Sequence, residues 1–133
     1  LEQALKALRS GMKPRQKLIV VFGTAGLRDA AKRPMMGRIA AELADEVMLT
    51  AEDPRTEDVH VIIRQIKEGV LTNHGHVHEI ADRRTAIQFA IKKLAKAGDI
   101  VGIFGKGHEE SMNLDGKHEI PWSDVDEVRQ ASR

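Results

Sequence analysis

Three stretches of this chain combine glycines with charged side chains as ligand-binding turns do. The first is Gly23-Thr24-Ala25-Gly26-Leu27-Arg28-Asp29, followed by Lys32-Arg33-Pro34. Its glycines let a backbone approach a ligand closely, and the planar fork of Arg28 suits a carboxylate or a phosphate. A surface turn with solvated charges would use the same residues. With two glycines and no third following, the dinucleotide fingerprint is absent. The second stretch is Glu52-Asp53-Pro54-Arg55. Its acids could receive an ammonium and Arg55 a carboxylate, the two ends of a zwitterion. The alternative is a turn leading into a helix capped by Thr56 or Asp58. The third is Gly105-Lys106-Gly107-His108-Glu109-Glu110. Gly-Lys-Gly after an apolar run points to phosphate, but no Gly-Lys-Ser/Thr occurs anywhere, so the chain carries no P-loop of its own. Glu109 could accept from an amine. His108 fits a proton carrier or a hydrogen-bonded structural residue. His74, His76 and His78 alternate, but 73–75 reads as loop, and the expectation is no native metal site.

The elements that would present these turns follow from periodicity. Leu1, Ala4, Leu5 and Leu8 mark a helix over 1–9. The apolar run from Lys17 to Phe22 reads as a strand buried on both faces. A loop over 23–31 leads to a helix with Pro34 in its first turn and Met35, Met36, Ile39, Ala40 and Leu43 on its buried side. Glu46 to Thr50 is a second strand. Val59, Ile62, Ile63 and Ile66 form a helix closed by Gly69. Val77 to Ala81 is a short strand, and Asp82 caps a helix running through Leu94. Ile100 to Phe104 is another strand. Asn113 to Gly116 is a turn in an antiparallel element leading to Glu119–Trp122, and Ser123 to Asp126 caps a last helix.

This alternation predicts a three-layer, Rossmann-like α/β domain. It has a mostly parallel sheet, helices on both faces and a small antiparallel element near the C-terminus. In such sheets ligands lie at the carboxyl ends of strands, which is where all three charged stretches fall. The chain has 133 residues, room for one domain over 1–133. A net charge of +1 without blocks of like charge argues against nucleic acid, and apolar runs far short of a bilayer span argue against a membrane. There is no cysteine, hence no disulfide or thiolate site. A cytoplasmic location is the default expectation.

Taken in order, Phe22-Gly23 through Arg28-Asp29, Lys32-Arg33-Pro34-Met35-Met36-Gly37, Glu52-Asp53-Pro54-Arg55-Thr56-Glu57 and Gly105-Lys106-Gly107-His108-Glu109 resemble the C-terminal domain of the Mur ligases. The similarity runs over essentially the whole chain and is strongest to the UDP-N-acetylmuramoyl-tripeptide synthetase (MurE-like) branch. The opening Leu1-Glu2-Gln3-Ala4-Leu5 looks like the helix that begins this domain. The resemblance implies an ADP-forming acid–amino-acid ligase of peptidoglycan biosynthesis, and so of cell-wall growth, cell shape and division. ATP and Mg2+ would be bound mainly by a central domain, and the UDP-MurNAc-dipeptide through that and an N-terminal uridine-nucleotide domain. Neither is in this stretch, which alone is expected to be inactive. A stem carboxylate would be activated as an acyl phosphate and attacked by the amine of a free amino acid.

What the resemblance carries onto this sequence is amino-acid recognition, with no catalytic residue here. It implies substrate contacts by Arg28, Glu52, Asp53, Pro54, Arg55, Gly105 and Glu109, with Asp29, Lys32, Lys106 and His108 in support. The family motif Asp-Asn-Pro-Arg, which reads diaminopimelate, is Glu52-Asp53-Pro54-Arg55 here. The added negative charge either neutralises Arg55 or favours a bare distal amine, as in lysine or ornithine. Retained Arg55 argues for a distal carboxylate, and Leu27 stands where diaminopimelate enzymes commonly carry Asp. Diaminopimelate is slightly ahead. The alternatives are a related amide ligase, of folylpolyglutamate or amino-acid-polymer type, and a non-catalytic Rossmann-like module binding an anion or nucleotide.

Overall fold

The computed structural model describes residues 1–71, 75–106 and 109–133. In chain order the elements are α1 (Glu2–Ser10), β1 (Leu18–Phe22), a 3-10 turn (Ala30–Lys32), α2 (Arg33–Leu43), β2 (Glu46–Leu49), α3 (Val59–Lys67), β3 (His76–Glu79) and α4 (Arg83–Phe89). A π-helical turn (Ala90–Leu94), β4 (Ile100–Ile103), β5 (Ser111–Asn113), β6 (Glu119–Pro121) and α5 (Asp124–Ala131) complete it. Four strands form a parallel sheet in the order β3-β2-β1-β4. β5 and β6 pair antiparallel as a separate hairpin.

β1 is buried along its whole length, as its unbroken apolar run requires. Leu18, Val20 and Phe22 point into one cluster with Leu5 of α1, Ala40 of α2 and the Ile62, Ile63, Ile66 stripe of α3. Ile19 and Val21 point the other way, with Met48, against Ala86 and Ile87 of α4, Met112, Trp122 and Ala131 of α5. The predicted three layers are therefore present. The hairpin and α5 complete the second face, which α4 and its π turn alone would leave partly open.

Several local expectations need refinement. The α3 cap is Asp58, whose carboxylate accepts from the His60 N–H at 2.8 Å. Thr56 is not the cap. Gly69 does not end α3 in a left-handed turn. It is required by close approach, because a β-carbon there would lie 1.6 Å from the carbonyl oxygen of Pro34. The helix after Asp82 is α-helical only to Phe89, and Ala95 N–H then bonds back five residues to Ala90. Apolar residues at 87, 90, 91 and 94 fit either winding, so periodicity could not separate them. β3 begins at His76 and ends at Glu79, earlier than the Val77–Ala81 expectation, because its register is set by pairing with Glu46–Leu49. His78 Nε2 lies 2.9 Å from Glu46. Among the described residues no group of three or more side chains is arranged to hold a metal, and His74 lies outside them. Among the described residues no helix is long and apolar enough to cross a membrane.

A charged cavity at the carboxyl ends of the strands

β1, β2 and β4 end at Phe22, Leu49 and Ile103, and the three charged turns follow them. A cavity of about 190 Å3 opens there. Its walls are the backbone of 23–25, Met36, and the charged residues Arg28, Asp29, Lys32 and Glu52. Arg28, Asp29 and Lys32 are exposed at its rim. Among the described residues no ion pair or side-chain hydrogen bond engages the charges of Arg28 or Lys32. Glu52 is half-buried. Burial pushes its carboxyl above the ordinary carboxylate range, the positive charge of Arg83 opposes that, and the neighbouring carboxylates of Asp53 and Glu109 add to the rise while Lys106 resists it.

The first and second turns are locked together. Gly26 N–H donates to Asp53 O at 2.9 Å, and the Arg55 guanidinium donates back to Gly26 O at 2.8 Å. A β-carbon on Gly26 would stand 1.8 Å from Pro54 O, so only glycine permits this contact. Leu27, Asp29, Asp53 and Arg55 all adopt positive φ, at 61°, 37°, 39° and 56°. Among the described residues these are the non-glycine positions that do so. Left-handed backbone at such residues costs about 1–3 kcal/mol each and persists where surrounding contacts over-determine it, typically at ligand sites. Here Leu27 N–H donates to Glu57 at 2.5 Å, and Arg55 N–H donates to Asn113 O at 3.2 Å.

Beneath this pair lies Arg33, 1% exposed. It donates to Thr24 Oγ1 at 3.2 Å, Ala25 O at 3.1 Å, Gln65 at 2.8 Å and both oxygens of Glu57 at 2.9 and 3.0 Å. The guanidinium and the Leu27 N–H hold the Glu57 carboxyl down to about 2. Sequence reasoning missed Arg33 as a scaffold residue. Between Lys32 and Pro34 it reads as one more exposed charge, and no local spacing marks it as buried.

The third turn is fastened to the second through Lys106. Only 3% exposed, its ammonium lies 2.9 Å from both oxygens of Asp53 and 3.3 Å from Glu109. Asp53 also accepts from Asn113 N–H at 2.8 Å. Burial pushes the Asp53 carboxyl up, but the Lys106 and Asn113 hydrogen bonds and the charges of Lys106 and Arg55 outweigh it, and it sits below the ordinary range. Asp53 is therefore committed chiefly to Lys106, with Arg55 a weaker neighbour. Gly105, at φ 115°, lies directly against the Glu52 carboxylate.

The structure thus brings Arg28, Asp29, Lys32 and Glu52 to one cavity. Gly105 and Lys106 sit behind Glu52, and Glu109 is exposed beside Lys106. Arg55 meets the cavity's first turn from outside through Gly26. Pro54 lines a different hollow with Ala51, Glu57 and Arg83. His108 lies outside the described residues.

The chain is thus a Rossmann-like α/β domain with a cavity of mixed charge at its strand ends. The chain belongs to the Mur ligase, glutamate ligase domain family, whose model matches residues 1–107. Among curated relatives, the UDP-N-acetylmuramoyl-L-alanyl-D-glutamate–2,6-diaminopimelate ligase of Chlorobaculum tepidum is 49% identical over 120 residues, covering 89% of this chain and 23% of that protein. The ligase of the same name from Prochlorococcus marinus is 51% identical over 114 residues, covering 86% and 22%. A solved structure of a UDP-N-acetylmuramoyl-L-alanyl-D-glutamate–2,6-diaminopimelate ligase superposes with a TM-score of 0.89 at 43% identity, over 98% of this chain and 26% of that one. The chain spans about a quarter of the length of these relatives.

Proposed function

We propose that residues 1–133 form the C-terminal, amino-acid-binding domain of an ATP- and Mg2+-dependent ligase that adds a free amino acid to UDP-MurNAc-dipeptide in peptidoglycan precursor synthesis. The observation that carries this reading is that Arg28 and Lys32, which no carboxylate among the described residues neutralises, stand with the half-buried Glu52 carboxylate around one cavity. That is the charge pattern of a zwitterion: carboxylate toward the arginine, ammonium toward the acid. The described residues offer no phosphate loop and no cluster of metal ligands. ATP, Mg2+ and the uridine nucleotide are therefore assigned to N-terminal and central domains outside this stretch, and the cytoplasm is the compartment where such precursors would meet the enzyme.

The domain's task follows from the chemistry of amide formation. The attacking amine must be unprotonated and aligned with an activated carboxyl group, so binding energy has to be drawn from the far end of the amino acid. Arg28 and Glu52, with Arg55, Gly105 and Glu109 nearby, would hold that end. Diaminopimelate fits best, as the relatives' names indicate. Asp53 is committed to Lys106, so among the described residues no carboxylate pairs with Arg55, and the part of its guanidinium beyond the Gly26 O bond would be the group to meet a distal carboxylate at the edge of the cavity. The test is ATP-dependent amide formation by the ligase carrying this domain, with diaminopimelate, lysine and ornithine compared at equal concentration. Diaminopimelate should be preferred by KM. Formation of product with none of the three would overturn the reading.

A further inference from the structure

Arg83 and Asp124 have no part in the reading above, yet they touch both of its principal turns. Arg83 opens α4 with a fully buried side chain. Its Nη1 donates to Ala51 O at 2.9 Å and its Nη2 to Phe104 O at 3.1 Å. Those carbonyls belong to the residues immediately before Glu52 and Gly105. They extend β2 and β4, which are not neighbours, since β1 runs between them. One planar group therefore spans two strand ends that the sheet's own hydrogen bonds do not join directly.

The guanidinium is held in that plane from its other side. Asp124 accepts from Nε at 2.8 Å and from Nη2 at 2.7 Å, a paired-fork contact, and its Oδ1 also accepts from Trp122 Nε1 at 2.7 Å. Asp124 is 5% exposed, so this is a desolvated ion pair with satisfied partners. It lies in α5, beyond the stretch matched by the family model.

We propose that Arg83, oriented by Asp124, is a positioning residue of the amino-acid site that fixes the separation of Glu52 from Gly105 through the carbonyls preceding each. The inference rests on the amino-acid reading of the cavity. Lysine at 83 would keep the charge but lose the fork, and could not serve both carbonyls and the carboxylate together. The charge of Arg83 also counters the rise of the Glu52 carboxyl, in line with this placement.

The test uses the ligase carrying this domain, as wild type and as Arg83→Lys, Arg83→Gln and Asp124→Asn. Arg38→Gln is the control, since Arg38 is exposed on α2 and pairs with the exposed Glu42 one turn on. Arg83→Lys and Arg83→Gln should each raise the amino-acid KM about tenfold or more, with kcat and the KM for ATP changed less than about threefold. Asp124→Asn should give a smaller rise of the same kind, and it remains informative if the Arg83 variants fail to fold. Arg38→Gln should change none of these. A fall in melting temperature with unchanged amino-acid KM in the folded variants would make the network merely structural and overturn the proposal. So would a parallel rise in both KM values. A wild-type enzyme that ligates no amino acid would instead defeat the functional reading itself, and this inference with it.

Discussion

The ammonium of Lys106 sits 2.9 Å from each carboxylate oxygen of Asp53, although 53 residues separate them. Both side chains are largely withdrawn from water, at 2% and 12% exposure. This pair is a direct tie between the turn after β2 and the turn after β4, beside the bridge that Arg83 makes between the Ala51 and Phe104 carbonyls. It also explains how an acid can replace the amide of the related motif without placing a bare charge in the cavity.

Removing one partner should therefore cost much more than removing both. Lys106→Met leaves a buried carboxylate with the Asn113 N–H and the weaker influence of the Arg55 charge, and is expected to lose about 3 kcal/mol or more. Asp53→Asn in the same chain should restore most of the loss, giving a coupling of about 1.5 kcal/mol or more in a double-mutant cycle. Chemical denaturation of the four proteins measures it. Additive losses would show the ion pair to be idle.

The contact between Gly26 and Pro54 makes a steric prediction. Gly26→Ala places a methyl 1.8 Å from a carbonyl oxygen, so the first and second turns must part. The expected loss is about 2 kcal/mol of stability. It should be accompanied by a weaker affinity for the amino acid, read as a raised KM.

Arg28 allows a test that leaves the fold alone. It is exposed at the rim of the cavity. Arg28→Ala should change stability by less than about 0.5 kcal/mol. It should raise the amino-acid KM about tenfold, the loss of one charge-assisted contact. ATP affinity should not move. An unchanged amino-acid KM would place the ligand elsewhere.

How much of this was legible beforehand differs between fold and site. The sheet and both helical layers were written in the runs at 18–22 and 100–103 and in the stripes of α3 on one face and α4 on the other, because burial on one or two faces imposes a period on apolar residues. The rim charges could be found because they cluster at strand ends. Arg33, Arg83 and the burial of Lys106 could not. A buried cation depends chiefly on partners 8 to 53 residues distant, and nothing in its immediate neighbourhood differs from a surface charge. The division of labour within Glu52-Asp53 was equally hidden, since one of two adjacent acids lines the cavity and the other pairs with Lys106, and their sequence does not say which.

Glu57 supplies a pH dependence with a definite sign. Its carboxyl is held at about 2 in the folded chain by Arg33 and the Leu27 N–H, against an ordinary value of 4.5. A depressed folded value means the stabilisation is complete above about pH 4.5 and is lost as pH falls toward 2. Denaturation midpoints of wild type should decline across that window. Glu57→Gln should be less stable at pH 7 and decline less steeply. The depressed carboxyls of Asp53, Asp82 and Asp99 titrate in both proteins, so the difference between the two curves isolates Glu57.

The packing of the sheet's second face bears on how this module can be transplanted. Met112, Trp122 and Ala131 seal Ile19, Val21 and Met48, and all three come after residue 107. A chimaera cut where the family signature stops, at residue 107, would carry the first two charged turns and only the start of the third, would lose Glu109, and would expose the back of the central strands, so it should precipitate or bind hydrophobic dyes. Swapping amino-acid specificity between ligases therefore calls for exchange through α5, with the hairpin treated as part of the sheet's foundation rather than as a dispensable tail.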